Sequence, residues 1–204
     1  MAGQFEALPG GGAAVALDEV EISILRSLAV QLLELIGPGD EPAEGEDPLA
    51  ALFAEGPSEP PSDPALARLF PDAYARPGAG RGADGAEGED EELRALSAEF
   101  RRFTENELRA RKRDDVLAVV RGLDALTVTG EGGAVLKLTA EDSLRWLGAL
   151  NDLRLTIGTR LQVTDDDETG DLYRLPDSDP RKPMVMAYLW LGVLQETLVE
   201  TLTP

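Results

Sequence analysis

The chain has 204 residues and a formal net charge of −20 at pH 7, because 39 Asp and Glu residues outnumber 19 Lys and Arg residues. This excess of negative charge repels nucleic-acid phosphates and anionic membrane surfaces at long range, so any DNA contact must be local. The absence of Cys and His excludes disulfides, thiol chemistry, the usual zinc sites and the Ser-His and Cys-His catalytic pairs. We therefore expect no catalytic residues, no metal and no cofactor.

The first 36 residues predict a small β-hairpin followed by a helix. Short apolar segments at 5–8 and 13–17 flank Pro9 and three glycines, which is typical of a loose turn. Asp18 and Glu21 have the spacing of a capping box, and the helix runs to Gly37. The expected apolar face of this helix consists of Val20, Ile24, Leu25, Leu28, Leu32 and Leu35. No basic region precedes the apolar residues at the N-terminus, so we expect no secretory signal there.

Residues 37–92 are predicted to be acidic, Pro/Gly-rich and largely disordered linkers. They contain 15 Asp or Glu residues and three Arg residues, a composition that buries too little apolar surface to fold alone. A short helical segment is expected near 64–75, with Leu66, Leu69, Phe70 and Tyr74 packing on the core. The run 78–88 has the composition of a disordered segment.

Residues 89–126 have a helical pattern, read as one long helix or as two helices with a break near Thr104. Eight positive charges outnumber five negative charges between residues 93 and 121. This basic helix either binds phosphates or an acidic protein surface, or is neutralised by the acidic linkers upstream. Both alternatives stay open, and no helix-turn-helix pattern predicts sequence-specific DNA binding. The candidate partner-binding residues are Arg101, Arg102, Arg109, Arg111, Lys112 and Arg113.

A strand at 134–138 and a Thr139 cap introduce the helix around which we expect the rest of the chain to pack. Its apolar stripe is Trp146, Leu150, Leu153, Ile157 and Leu161, widened by Leu144, Leu147 and Leu155. The polar residues set among them are Arg145, Asn151, Asp152, Arg154 and Arg160. The favoured interpretation is a structural network in which the carboxylate pairs with Arg and the Asn caps or bridges loop backbone. The alternative is a small-ligand-binding or hydrolase-like site.

Three further features complete the chain. A glycine pair, strand, cap and helix occur at 11–35 and again at 132–155, which indicates either two similar units packed side by side or chance. Asp165 to Asp171 resembles the start of a calcium loop, but Pro176 replaces the required Glu, so we expect a solvated loop. The terminal helix, 184–202, is expected to be the main packing partner of the Trp146 helix, with Met184 and Met186 buried.

The run 145–161, with its Trp-Leu-x-x-Leu-Asn-Asp-x-Arg core, resembles the signature of an actinobacterial family catalogued as a domain of unknown function. The segments 99–104, 108–113 and 188–191 also resemble it. The family is similar to an oxidative-stress transcription regulator that acts with a stress sigma factor. The resemblance implies a non-enzymatic cytoplasmic regulator that contacts a sigma factor or RNA polymerase. Sensing in that regulator is attributed to cysteines, which this chain lacks, and buried methionines would be poor substitutes.

The sequence thus predicts a mostly α-helical protein: a single helical domain with one or two short β-hairpins or strands and disordered acidic linkers. Residues 1–36 and 93–204 are expected to form the same core, and 37–92 to form the linker. A protein partner is expected, with DNA contact possible only locally and no membrane association. The apolar run at 184–194 is too short to cross a bilayer.

Overall fold

The computed structural model describes residues 3–38, 55–74, 87–127, 132–163 and 174–203. Within these residues the chain is mostly α-helical, with five helices and one three-stranded antiparallel sheet. It forms two compact units, one of residues 1–37 and 112–204 and the other of residues 38–111. This division differs from the sequence-based one, because residues 93–111 belong with the segment that precedes them rather than with the core.

The sheet belongs to the first unit and confirms the predicted hairpin and the later strand. Strand β1 is Glu6–Ala7, β2 is Ala13–Asp18 and β3 is Gly133–Leu138. β2 lies in the middle and pairs antiparallel with both neighbours, with Ala13 opposite Leu138. Side chains alternate along β2, so that Ala13, Val15 and Leu17 are buried. One face of the sheet therefore contributes to the core.

The glycine turn between β1 and β2 gives a matched pair of predictions. Gly10 and Gly12 both have positive φ angles, but a Cβ at Gly12 would overlap the carbonyl oxygen of Leu138, whereas a Cβ at Gly10 would meet nothing. We expect Gly10→Ala to cost about 1 kcal/mol of unfolding free energy and Gly12→Ala about 3 kcal/mol or more. Urea unfolding followed by circular dichroism measures both. Equal losses would contradict the close approach of β3.

Two strand-helix units lie side by side in the first unit, at the two places where the sequence pattern recurs. Helix α1, Glu19–Ile36, follows β2 through a complete capping box of Asp18 and Glu21. Helix α4, Ala140–Arg160, follows β3 through the Thr139 cap. The two strands pair, and the two helices pack on each other. Helix α5, Lys182–Leu202, packs along α4 as expected and is tied to the start of the chain by the Phe5 amide, which donates to Thr197 Oγ1 at 3.1 Å.

The α4 stripe is buried as predicted, but three other predictions about apolar faces are wrong. The buried stripe of α1 is Leu25, Ala29, Leu32 and Ile36, whereas Val20 and Ile24 are exposed. Leu144 on α4 is exposed as well, so α4 is not covered on every predicted face. Met184 and Met186 are also exposed. In each case the helix carries more apolar residues than its neighbours cover.

The second unit consists of a short helix against the first part of a long one. Helix α2 is Pro64–Leu69, capped by Asp63, and it confirms the predicted helical segment over a shorter range. Helix α3 is Glu87–Asp124, which extends into the first unit. The helix begins before the end of the predicted linker and is continuous at Thr104, whose hydroxyl bonds Phe100 O inside the helix instead of capping a new one. Leu69 and Phe70 are buried, but Tyr74 is half exposed, contrary to expectation.

Two sequence predictions lie outside the described residues in whole or in part. The calcium-like acidic loop, 165–171, is not described, and of the run 78–88 only the last two residues are, at the start of α3. Among the helices that the structure describes, none has the length and apolar character needed to cross a bilayer.

Candidate functional site

Arg101 is a structural residue of the second unit. Its side chain is only 4% exposed, and its guanidinium donates to the Glu105 carboxylate, to Phe70 O at 3.0 Å and to Asp72 Oδ1 at 2.8 Å. A buried guanidinium is tolerated only when hydrogen-bonded and paired in this way. Arg101 therefore joins α3 to the chain that follows α2, and its charge is compensated within the unit.

Two further arginines of the second unit also have internal partners. Arg109 donates to Glu105 Oε1 at 2.6 Å and stacks over the Phe70 ring, with its Cζ 4.4 Å from the ring centroid. Arg102 pairs with Glu55, but both side chains are substantially exposed, so this ion pair contributes little to stability. Acids of the upstream segment thus pair with two of these residues, Asp72 with Arg101 and Glu55 with Arg102, whereas Arg109 pairs with an acid of its own helix. Glu105 is the buried acid that Arg101 and Arg109 share.

Lys112 and Arg113, the last two candidate partner-binding residues, belong to the first unit and also have internal hydrogen-bond partners there. Lys112 Nζ donates to Asp152 Oδ1 at 2.7 Å. Arg113 donates to Gly37 O and approaches Leu33 O at 3.5 Å, which places a cation at the exposed carbonyls that end α1. Arg111 is exposed, as is much of the Arg102 side chain, whereas the other four are buried or partly buried. The structure therefore leaves Arg111, and in part Arg102, accessible to solvent.

Asp152 is the buried acid of the first unit, with a side chain only 4% exposed. Its ion-pair partner is Lys112 of α3, not an arginine as the sequence analysis expected. Burial raises the pKa of Asp152, and the hydrogen bonds from Lys112 and Asn151 oppose that rise. The sequence could not select Lys112 because it lies 40 positions away and looks like any other member of the basic run.

Arg154 and Asn151 of α4 both form hydrogen bonds with Gln195 of α5. Arg154 Nη1 donates to Gln195 Oε1 at 2.6 Å, and Gln195 Nε2 donates to Asn151 Oδ1 at 3.4 Å. The Arg154 guanidinium also lies over Tyr188, with its Cζ 5.2 Å from the ring centroid, and against Gly192. Tyr188, Gly192 and Gln195 share one face of α5 because of their helical spacing. The structure therefore places Asn151 and Arg154 in a helix-helix contact.

The two remaining residues of the predicted polar network lie apart from it. Arg145 pairs with Glu141 one turn earlier on the exposed side of α4. Arg160 is exposed at the end of α4 and lines a surface cleft. The structure thus joins Asn151 and Arg154 through Gln195, pairs Asp152 with Lys112, and leaves Arg145 and Arg160 outside that arrangement. In the described part of the chain, no group of three or more acidic residues is placed to hold a metal ion.

One concave feature of the first unit was not predicted from the sequence. It is an open cleft of about 1390 Å³ between α1, α4 and α5. Glu21, Glu34, Arg160 and Arg181 stand among its polar lining residues. The apolar residues that line it are Ile24, Leu28, Leu32, Leu35, Leu153, Ile157, Leu161, Met184, Met186, Ala187 and Trp190. The signal for this cleft was in the sequence, because the predicted apolar face of α1 and the apolar run at 184–194 contain more apolar residues than one packing face can bury.

Comparison with known proteins identifies the family. A model described as "Domain of unknown function (DUF2017)" matches residues 2–202. The chain belongs to this DUF2017 family. It is 33% identical over 185 residues to the protein named oxidative stress regulator AosR of Mycobacterium tuberculosis and Mycobacterium bovis, a match that covers 88% of this chain and 77% of the relative. It is 32% identical over 188 residues to the putative oxidative stress regulator AosR of Mycobacterium leprae, with the same coverage.

The match to the DUF2017 family confirms the resemblance inferred from the Trp146 helix. No solved structure matches the chain. The residues that carried the resemblance now have structural roles: Trp146 packs edge-to-face on Phe5, with ring centroids 6.3 Å apart, and Asn151, Asp152 and Arg154 make the contacts described above.

Proposed function

We propose that this chain is a non-enzymatic regulator of the oxidative-stress response that acts in the cytoplasm through protein contact with a sigma factor or RNA polymerase. The observation that carries the proposal is the similarity to proteins named oxidative stress regulator over 88% of this chain and 77% of theirs. The net charge of −20 favours protein contact over general DNA binding, because it repels the phosphate backbone. The described residues also contain no cluster of acids arranged to hold a metal.

The competing proposal is a small-ligand-binding or hydrolase-like domain that uses Asn151, Asp152, Arg154 and Arg160. The contacts favour it less, because Asp152 and Arg154 bond to neighbouring helices and do not line the cleft. Only Arg160 of this group does. A binding site would require several polar groups that converge on one open space.

Affinity capture tests the proposed function directly. The tagged full chain is incubated with an actinobacterial lysate, with and without nuclease, and the retained proteins are identified by mass spectrometry. Recovery of a sigma factor or polymerase subunits that survives nuclease supports protein contact. Recovery that requires intact nucleic acid would replace it with a DNA-mediated mechanism, and failure to recover either would contradict the proposal.

Arg111→Glu is the substitution that probes the basic helix with the least disturbance of the fold. Arg111 is exposed, whereas Arg109 and Arg113 make internal contacts whose loss would confuse the result. If an acidic partner surface binds here, we expect charge reversal to reduce capture by about threefold or more, since like charges across an interface repel. Arg94→Glu, an exposed arginine of the same helix outside the cluster, is the matched control. Equal capture by the two variants would place the contact elsewhere.

A further inference from the structure

The two methionines at the start of α5 have the accessibility that an oxidation site requires. Met184 is 43% exposed and Met186 is 55% exposed, whereas Val185 between them is 1% exposed. Successive residues of an α-helix are about 100° apart around the axis. Because Val185 points into the core, Met184 and Met186 lie on either side of the buried face of the helix. The exposure of both thioethers follows from this geometry.

Both methionines also line the apolar cleft between α1, α4 and α5. Ile24 and Leu28 of α1 line the same open cleft. A thioether is a polarisable apolar group that suits such a surface. A sulfoxide carries a strongly polar S=O group instead, so the same two positions would present hydrogen-bond acceptors to an apolar lining.

From this geometry we propose that Met184 and Met186 form a reversible oxidation site whose substrate is a hydroperoxide, and that their conversion to sulfoxides makes this part of the cleft lining polar. The proposal rests on the proposed function for its biological meaning, and methionines are the sulfur-containing residues of this chain, which has no Cys. Its chemistry can be tested without that function.

The reaction balances with the peroxide as oxidant. A lone pair of the thioether sulfur attacks one peroxide oxygen, the O–O bond breaks, and the other oxygen leaves as water or an alcohol after taking up the peroxide proton. The sulfur loses two electrons and becomes a sulfoxide, and the peroxide gains two electrons. Methionine sulfoxide reductases A and B restore the thioether, one for each epimer, using two electrons from a dithiol.

The first test is the rate of oxidation. The full chain is treated with hydrogen peroxide, and peptide mass spectrometry follows the gain of one oxygen at Met184 and at Met186. We expect both to oxidise within about threefold of the rate for methionine in a short unstructured peptide, since susceptibility follows exposure. Treatment with both reductases should return the original masses. Rates ten or more times below the peptide rate would overturn the proposal.

The second test asks whether oxidation alters the cleft, using the fluorescent apolar dye anilinonaphthalene sulfonate as the probe. We expect the oxidised chain to bind the dye roughly fivefold or more weakly than the reduced chain. Met184→Gln with Met186→Gln, which places polar amides at both positions, should reproduce the weaker binding without peroxide. Met184→Leu with Met186→Leu should bind like the reduced chain before and after peroxide.

Failure of this inference is distinguishable from failure of the proposed function. Unchanged dye affinity after complete oxidation, or absence of dye binding by the reduced chain, would overturn the inference and leave the capture experiment unaffected. Conversely, capture of no transcription protein would remove the proposed function while the oxidation chemistry stood. Circular dichroism of the oxidised chain and of the Gln variant tests whether both keep their helices. Weaker dye binding together with a loss of helix would contradict the proposal, because unfolding would then explain the weaker binding.

Discussion

Replacing Arg101 by Met is expected to lower the free energy of unfolding of the second unit by about 3 kcal/mol. The substitution keeps the length of the side chain but leaves the buried Glu105 carboxylate with Arg109 as its main partner and leaves Phe70 O without its donor. Uncompensated buried charge carries most of this cost. Hydrogen exchange of the α3 amides around residues 97–109, measured by mass spectrometry, reports the change locally.

The adjacent residue supplies a matched control for this prediction. Arg102 pairs with Glu55, but at 39% and 58% side-chain exposure water replaces the interaction readily, so Arg102→Met should cost less than about 0.5 kcal/mol. The two variants remove the same charge from neighbouring positions of one helix. Equal losses would show that net charge, rather than the buried contacts of Arg101, stabilises this unit. Because Arg101 variants are expected to be less stable, reduced partner capture by such a variant would reflect unfolding of the second unit.

Replacing Lys112 by Met is expected to destabilise the first unit by about 3 kcal/mol at pH 7, because Asp152 would stay buried without its cation. Adding Asp152→Leu to this variant should recover most of the loss, since a buried ion pair and an apolar pair of similar volume have similar stability. Arg145→Met, which breaks the exposed pair with Glu141, is the control and should have little effect. Urea unfolding at fixed pH measures all three variants against the original chain.

The pH dependence of this loss has a definite sign. Burial raises the pKa of Asp152, so the folded chain holds this proton more tightly than the unfolded chain does. Above the pKa of Asp152 in the folded chain, the buried charge lowers the free energy of unfolding by its full amount. This loss is relieved as the pH falls through that pKa. In Lys112→Met the opposing cation is gone, so the pKa rises further. The stability difference between this variant and the original chain should therefore shrink from pH 7 to pH 5, and a constant or growing difference would contradict the assignment.

The elements whose signals are local were predicted well. The capping box of Asp18 and Glu21 and the Thr139 cap marked two helix starts, because a cap forms between residues three apart and needs no distant partner. The stripe from Trp146 to Leu161 was buried as expected, because α4 packs on its neighbours along its whole length. The glycine turn and the alternation in β2 predicted the hairpin for the same local reason.

The candidate site was predicted much less completely. Arg101 and Arg102 are identical neighbours in the sequence, yet one is buried and the other exposed, because only Arg101 faces Phe70 and Asp72. The sequence placed an arginine opposite Asp152 where the fold placed Lys112. Both outcomes depend on which faces of α3 meet other segments, and helical periodicity gives the faces of a helix without saying what covers them.

By itself the sequence determined the helical class, the positions of the caps, the family and the absence of Cys and His chemistry, all of which follow from composition or from residues a few positions apart. Only the tertiary structure decided which basic residues are internal, which residue pairs with Asp152, and whether Met184 and Met186 face the core or the cleft. These depend on contacts between residues far apart in the chain. An apolar or charged side chain has the same local pattern whether a distant helix covers it or water does, and its burial and its pKa differ between those two environments.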